Sequence, residues 1–268
     1  MAIYSDENID FLQRKICTKP QSMVLAHFHE NHELYYLIEG TARYFISDEI
    51  FILEPGDMIF VPKGEFHQTV YNESGVTDRV LFTFDDNFLG ENFKKYIDEM
   101  KKDKLITFSK DKSIKIYELI NKCIKEKEKN KKGYDDMKNL LLGELLISIS
   151  RYRNRETPPI TPVYTAMQDI AKYITSNYNT DLSLNTLSKL FSISPNHLSR
   201  QFKKVTGVGL SEYINITRIT IAEKMLLDNN ISITEVATQC GFNDSNYFAS
   251  VFKKIKGITP KKYSLQNT

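Results

Sequence analysis

The sequence predicts a two-domain α+β chain, with an N-terminal β-barrel and accessory helices followed by a C-terminal all-α domain built as a tandem helix-turn-helix. Three observations carry this. Short β-rich runs separated by Gly, Pro and Asn occupy residues 23–84, Lys- and Glu-rich segments of helical periodicity follow from 91 to 152, and the final hundred residues contain a repeat. The expected division is a first domain at 1–152, a linker at 153–162 and a second domain at 163–268.

In chain order, strands are expected at Met23–Phe28, Leu34–Ile38, Arg43–Ile46, Met58–Val61 and Val80–Phe84, with turns at Gly40, Asp48, Pro55-Gly56 and Pro62-Lys63-Gly64. Short strands at this spacing close into a sandwich or barrel. Helices are expected at Glu91–Lys102, Ser113–Asn130 and Asp135–Tyr152. The last carries Met137, Leu140, Leu141, Leu145, Ile149 and Tyr152, an apolar stripe suited to the barrel or to a second copy of the chain, and a homodimer is expected on that ground. Asn154 to Pro162 holds three prolines, cannot continue a helix and reads as a semi-rigid linker.

The repeat is the most specific signal. Leu198, Phe202, Lys203-Lys204, Gly207 and Tyr213 fall on Phe248, Phe252, Lys253-Lys254, Gly257 and Tyr263. In the first copy Ser183 to Phe191 places Leu184, Leu187, Leu190 and Phe191 on one stripe. Ser194 then reads as an N-cap, with Pro195 at the first helical position, and the helix runs to Gly207. In the second, Ser232 and Glu235 form a capping box, Gly241 ends one helix, and Asp244 caps another that stops at Gly257. Ser188 and Ala237 share a repeat position where helices pass closely. Leu210 to Leu227 connects the copies as one helix of roughly 27 Å, comparable to the ~34 Å between successive major grooves on one face of DNA.

These motifs resemble the DNA-binding domain of the AraC/XylS family of bacterial transcription regulators. Its second-motif signature, G-F-x-D-x-x-Y-F-x-x-x-F-K-K-x-x-G-x-T-P-x-x-Y, is matched throughout from Gly241 to Tyr263. Arg218, Ala222 and Leu226 stand where that family has them, while Ser192 stands where the first motif more often has glycine. Upstream, His27-x-His29-x-x-x-Glu33-x6-Gly40 and Gly56-x5-Pro62-x-Gly64-x-x-His67 resemble both halves of the cupin signature, with Asn72 one place late. The resemblance implies a cupin-like double-stranded β-helix that senses an effector. It also implies that His27, His29, Glu33 and His67 match the metal-binding set of cupins that hold a divalent ion.

His27 and His29 are two apart in an expected strand and so share a face, and imidazole with carboxylate suits Mn, Fe or Zn. The same residues serve equally as hydrogen-bonding walls of an effector pocket or as structural polar groups. With Tyr35 beside Glu33 and Tyr44 on a neighbouring strand they form an aromatic pocket with few polar groups, which suits a carbohydrate. For DNA, inward Leu198, Phe202 and Val205 leave Asn196, Ser199, Arg200, Lys203 and Lys204 outward. Phe248, Val251 and Phe252 likewise leave Ser245, Asn246, Ala249 and Ser250 outward, with Lys253 and Lys254 beside them. Arg200 is the expected base reader, since guanidinium can bond guanine O6 and N7 together.

Charge agrees with this division. Residues 161–268 hold 12 Lys and Arg against 7 Asp and Glu, whereas 1–160 hold 24 against 27, so the basic half is the one with the repeats. Cys17, Cys123 and Cys240 lack zinc-finger spacing and are odd in number, as expected of a cytoplasmic protein. The apolar run Leu140 to Ser150 is interrupted by Glu144 and too short to span a bilayer. The expected partners are double-stranded DNA and a small-molecule effector, with no membrane. A metal-dependent cupin enzyme fused to a DNA-binding module is the alternative, and a constitutive DNA-binding protein whose barrel only dimerises is a third reading. No catalytic constellation accompanies the four candidate ligands.

Overall fold

A computed structural model describes residues 11–18, 27–71, 75–86, 88, 90–154, 161–227 and 231–266. Its strands are β1 (Leu12–Cys17), β2 (His32–Glu39), β3 (Ala42–Ile46), β4 (Glu49–Leu53), β5 (Met58–Val61), β6 (His67–Tyr71), β7 (Thr77–Phe84) and β8 (Leu105–Ile106). They form a five-stranded sheet in the order β1-β7-β2-β5-β8 and a three-stranded sheet in the order β4-β3-β6, with every pairing antiparallel. Side chains between the sheets, among them Tyr35, Leu37, Tyr44, Ile46, Leu53, Ile59 and Val61, close the barrel interior.

The outer face of the larger sheet is covered by α1 (Lys94–Lys102), α2 (Lys110–Lys129) and α3 (Tyr134–Tyr152). Leu34, Tyr36, Met58, Phe60, Val80, Phe82 and Phe84 pack there against Ile97, Ile116, Ile120, Leu142, Leu145, Leu146 and Ile149. The stripe expected on α3 is therefore divided. Leu145 and Ile149 are buried against the barrel, whereas Met137 and Leu140 stay exposed.

The rest of the chain is helical: α4 (Pro162–Ser176), α5 (Leu184–Leu190), α6 (Pro195–Thr206), α7 (Leu210–Met225), α8 (Ile233–Gln239), α9 (Ser245–Lys256) and α10 (Pro260–Gln266). Local chemistry sets most of these boundaries. Ser232 and Glu235 complete the capping box, Asp244 accepts from the amides of Asn246 and Tyr247, and Gly207 and Gly257 end their helices in the left-handed conformation. Ser192 takes that conformation too, at φ 53°, in the turn where the second copy has Gly241 at 81°. Ser194 sits at the N-cap of α6 but makes no side-chain capping bond, so the proline that follows is what marks this helix start.

The structure differs from the sequence expectation in several elements. Strands β1, β4, β6 and β8 and helices α4 and α10 were not expected, and the connecting helix ends at Met225. Residues 23–26 of the first expected strand and 155–160 of the expected linker lie outside the described residues. His27 itself forms an isolated bridge with His67.

The two parts are packed together. Phe45 and Ile50, on the outer face of the smaller sheet, and Phe66, just before β6, share one core with Met167, Phe202, Val205, Tyr213 and the remaining helical interior. Arg43 on β3 reaches the end of α6, where its Nε donates to Val205 O at 2.7 Å and its Nη2 to Lys204 O at 2.6 Å. Nη1 donates to the Tyr164 hydroxyl at 3.1 Å. Tyr213 donates to Ser47 O at 2.8 Å, and the amide of Ile50 donates to Gln168 at 3.0 Å. A Cβ on Gly207 would lie 2.6 Å from Gln68 Cγ and 2.8 Å from Val70 Cγ2, so this glycine permits the approach as well as the turn.

Candidate functional site

Strand alternation places the polar residues of the barrel interior. In β2, Glu33 and Tyr35 face inward and lie opposite Thr83 and Leu81 of β7. In the smaller sheet Tyr44 lies opposite Phe51 and Thr69. His27 joins through its bridge to His67, the first residue of β6, and the amide of Gly64 donates to His29 O at 2.8 Å to fix the intervening loop.

His27, His29, Glu33 and His67 come together, with one donor atom from each lying within 4.8 Å of the others. Their rings crowd one another: the His27 and His67 centroids are 4.4 Å apart and those of His29 and His67 5.0 Å. Nδ1 of His29 lies 2.7 Å from Asn31 O and Nδ1 of His67 lies 3.0 Å from Glu65 O. These backbone contacts orient the rings and leave both Nε2 atoms directed at the shared centre. His29 Nε2 is 2.9 Å from Glu33 Oε1 and His67 Nε2 is 3.5 Å from Oε2, yet neither nitrogen makes a hydrogen bond of good geometry.

Burial on its own would raise the Glu33 pKa, but the two histidines outweigh it and hold the carboxyl far below its ordinary range. Burial likewise opposes protonation of His29, and the Glu33 carboxylate reverses this to give a raised pKa. The group can hold its charge as an imidazolium–carboxylate pair or around a divalent cation. Converging, poorly satisfied nitrogens with fixed outer partners fit the second as well as the first.

Tyr35 and Tyr44 stand edge to face, 5.1 Å between centroids, and the Tyr35 hydroxyl lies 3.5 Å from that of Tyr71. The sequence did not bring Tyr71, Thr83 or Arg79 into this interior. Arg79 shares the inward face of β7 with Leu81 and Thr83, a pattern that can be found only if the strand begins before Val80. His32 lies outside the group. Its Nε2 is 2.8 Å from Asp86 Oδ1 and its Nδ1 accepts from the Lys63 amide at 2.9 Å, next to Phe60 and Phe84.

On the helical side Leu198, Phe202 and Val205 of α6 are buried and Asn196, Ser199, Arg200, Lys203 and Lys204 are exposed. On α9, Phe248, Val251 and Phe252 are buried, Ser245, Asn246, Ser250, Lys253 and Lys254 are exposed, and Ala249 is half-buried. Docking against the barrel occupies the C-terminal end of α6 and leaves its N-terminal half open. Arg218 is a structural tie: it donates to Tyr178 O at 2.8 Å and to Thr180 O at 2.9 Å and lies over the Phe242 ring. Among the described residues no helix is long and apolar enough to cross a membrane.

Residues 187–266 match the helix-turn-helix domain family and residues 15–84 match the cupin domain family. The chain is 22% identical over 237 residues to the HTH-type transcriptional activator RhaR of Mannheimia succiniciproducens, covering 88% of this chain and 86% of that protein. Over 249 residues it is 24% identical to the RhaR of Salmonella arizonae, covering 91% and 88%. The solved C-terminal domain of the two-component response regulator yesN from Fusobacterium nucleatum is 36% identical over 37% of this chain and 98% of that domain, with a TM-score of 0.36. Both full-length relatives carry the name of a transcriptional activator and neither that of an enzyme.

Proposed function

We propose that this DNA-binding transcription regulator of the AraC type, a cupin domain followed by a helix-turn-helix domain, is controlled by a carbohydrate or carbohydrate derivative bound inside the barrel. One observation carries the reading: β3 and β6 are walls shared by the barrel interior and the DNA-reading helices. On β3, Tyr44 faces inward while its neighbours Arg43 and Phe45 grip α6. On β6, His67 faces inward while Gln68 and Val70 abut Gly207. A ligand that moves Tyr44 or His67 therefore acts on residues one peptide away from the docking surface.

An effector shifts an equilibrium only through unequal affinity for two states, and the docked and released positions of the helical domain provide such a pair. Asn196, Ser199 and Arg200 read bases, and Lys203, Lys204, Lys253 and Lys254 meet phosphates, with Ser245, Asn246 and Ser250 on the second reading face. Helix α7, at about 24 Å for its sixteen residues, sets the separation of the two motifs. The exposed Met137 and Leu140 of α3 form the self-association surface of a homodimer, residues 1–152 act as the sensing unit and 163–268 as the reading unit, and the protein works in the cytoplasm on double-stranded DNA. Where a divalent cation is bound, His27, His29, Glu33 and His67 hold it and it supplies a Lewis-acidic anchor for effector oxygens.

The test is an operator-binding titration of the full chain and of Glu33→Ala over a panel of sugars. The reading expects equal affinity of the two proteins without sugar and a sugar-dependent shift in the parent alone. Equal shifts in both proteins would remove the barrel from the sensing role.

A further inference from the structure

The barrel interior carries one more charged group. In the pairing of β2 with β7, Thr83 lies opposite Glu33, Leu81 opposite Tyr35 and Arg79 opposite Leu37, and β2 bulges between Leu37 and Glu39 beside that last rung. Opposed residues share a sheet face, so Arg79 stands on the inward face with Glu33. Four residues of strand, roughly 13 Å, separate its level from that of Thr83. Its side chain is half-buried, with Cζ 5.6 Å from the Tyr35 ring centroid. Beyond burial itself, the ionisable groups acting on it most are Tyr71, Tyr44, Tyr35 and then Glu33.

Among the described residues this guanidinium has no hydrogen-bond or ion-pair partner, and it lies over the Tyr35 ring. The nearby carboxylates are engaged elsewhere. Asp78 receives Arg14 through contacts of 3.1 and 2.6 Å, and Glu33 faces His29 and His67. Burial disfavours this cation, but the surrounding tyrosines and the Glu33 carboxylate outweigh it and keep the guanidinium charged, so its donors stay open to an anion, and the planar fork of arginine matches carboxylate and phosphate oxygens two at a time.

We infer that Arg79 receives the anionic group of a sugar bearing a carboxylate or a phosphate, whose ring lies along Tyr35 and Tyr44 and whose hydroxyls reach the His29, Glu33 and His67 end of the barrel interior. The inference rests on the reading of the barrel as the effector site.

Three hexoses that differ only at C6 test it on the full chain: D-glucose, D-glucuronate and D-glucose 6-phosphate, with the matching galactose set. Binding is followed by calorimetry and thermal shift. A charged member is expected to bind about tenfold or more tighter than its neutral counterpart, and the carboxylate and phosphate arms identify which anion is preferred. Arg79→Gln abolishes that preference, and Arg79→Met without ligand melts at or above the parent midpoint, since no ion pair is lost. The inference is overturned if no charged member shifts the midpoint, if charged and neutral members bind alike, if Arg79→Gln keeps the preference, or if Arg79→Met without ligand melts several degrees lower. A neutral sugar that alone binds and changes operator affinity would remove the Arg79 assignment and leave the sensor standing. A charged sugar that binds through Arg79 without changing operator affinity would do the reverse.

Discussion

Replacing Arg43 by alanine removes the polar latch between barrel and helices. Arg43 makes two hydrogen bonds to carbonyls in the last turn of α6, Val205 O at 2.7 Å and Lys204 O at 2.6 Å, and a third to the Tyr164 hydroxyl. A hydrogen bond from a charged donor contributes about 1.5–3 kcal/mol when shielded, and the negative end of a helix adds a few tenths. The Lys204 bond is exposed and the others half-shielded, so solvent reduces the set to about 2 kcal/mol in total. That shifts the docked-to-released equilibrium about 30-fold toward release. Hydrogen exchange of the full chain reads this directly: amides in the last turn of α6 and in β3 exchange about 30-fold faster in Arg43→Ala, while those of α9 keep the parent rate. Arg43→Lys, with a point charge in place of the fork, falls between. Unchanged exchange at 42–46 and 202–207 would show that the latch holds nothing and that coupling takes another route.

Three further outcomes follow from the helical half. Arg200→Ala costs about 1–3 kcal/mol on operator DNA and relaxes base preference at one position, while Lys253→Ala weakens all DNA alike and shallows the salt slope; filter-binding titrations at several salt concentrations separate the two. Phe252, fully buried between Phe248 and Tyr263 with centroids at 5.8 and 5.6 Å, loses roughly 3–5 kcal/mol on truncation to alanine, so a midpoint within a few degrees of the parent would contradict its place in the core. Ser192→Gly relieves a left-handed residue and raises stability by about 1 kcal/mol, measured by urea unfolding.

How much of this was legible from the sequence depended on how local the determinant is. The capping box at Ser232 and Glu235, the Asp244 cap and the terminating Gly207, Gly241 and Gly257 are each fixed within a few residues, and the sequence located all of them. Strand β4, Glu49 to Leu53, is covered on both faces, with Ile50 in the interdomain core and Leu53 in the barrel, so it shows too little alternation to be recognised. Strand β6 is polar inside because it carries His67 and Thr69 into the barrel interior, and it reads as a loop. His27, His29, Glu33 and His67 were identifiable because the two stretches that carry them resemble the cupin signature; spacing alone paired only His27 with His29. Arg79 was missed because the expected strand began at Val80 and β7 begins at Thr77, and Arg43 because its partners are more than 120 residues away. Docking of two domains leaves no periodic trace in either.

The central claim, that the barrel senses and the helices read, is tested most directly by footprinting one operator with the full chain and with residues 161–268 alone, each with and without the sugar panel. The account predicts that the fragment protects the same bases more weakly and ignores every sugar, while at least one sugar alters protection by the full chain. A sugar that changes the footprint of the fragment would contradict it.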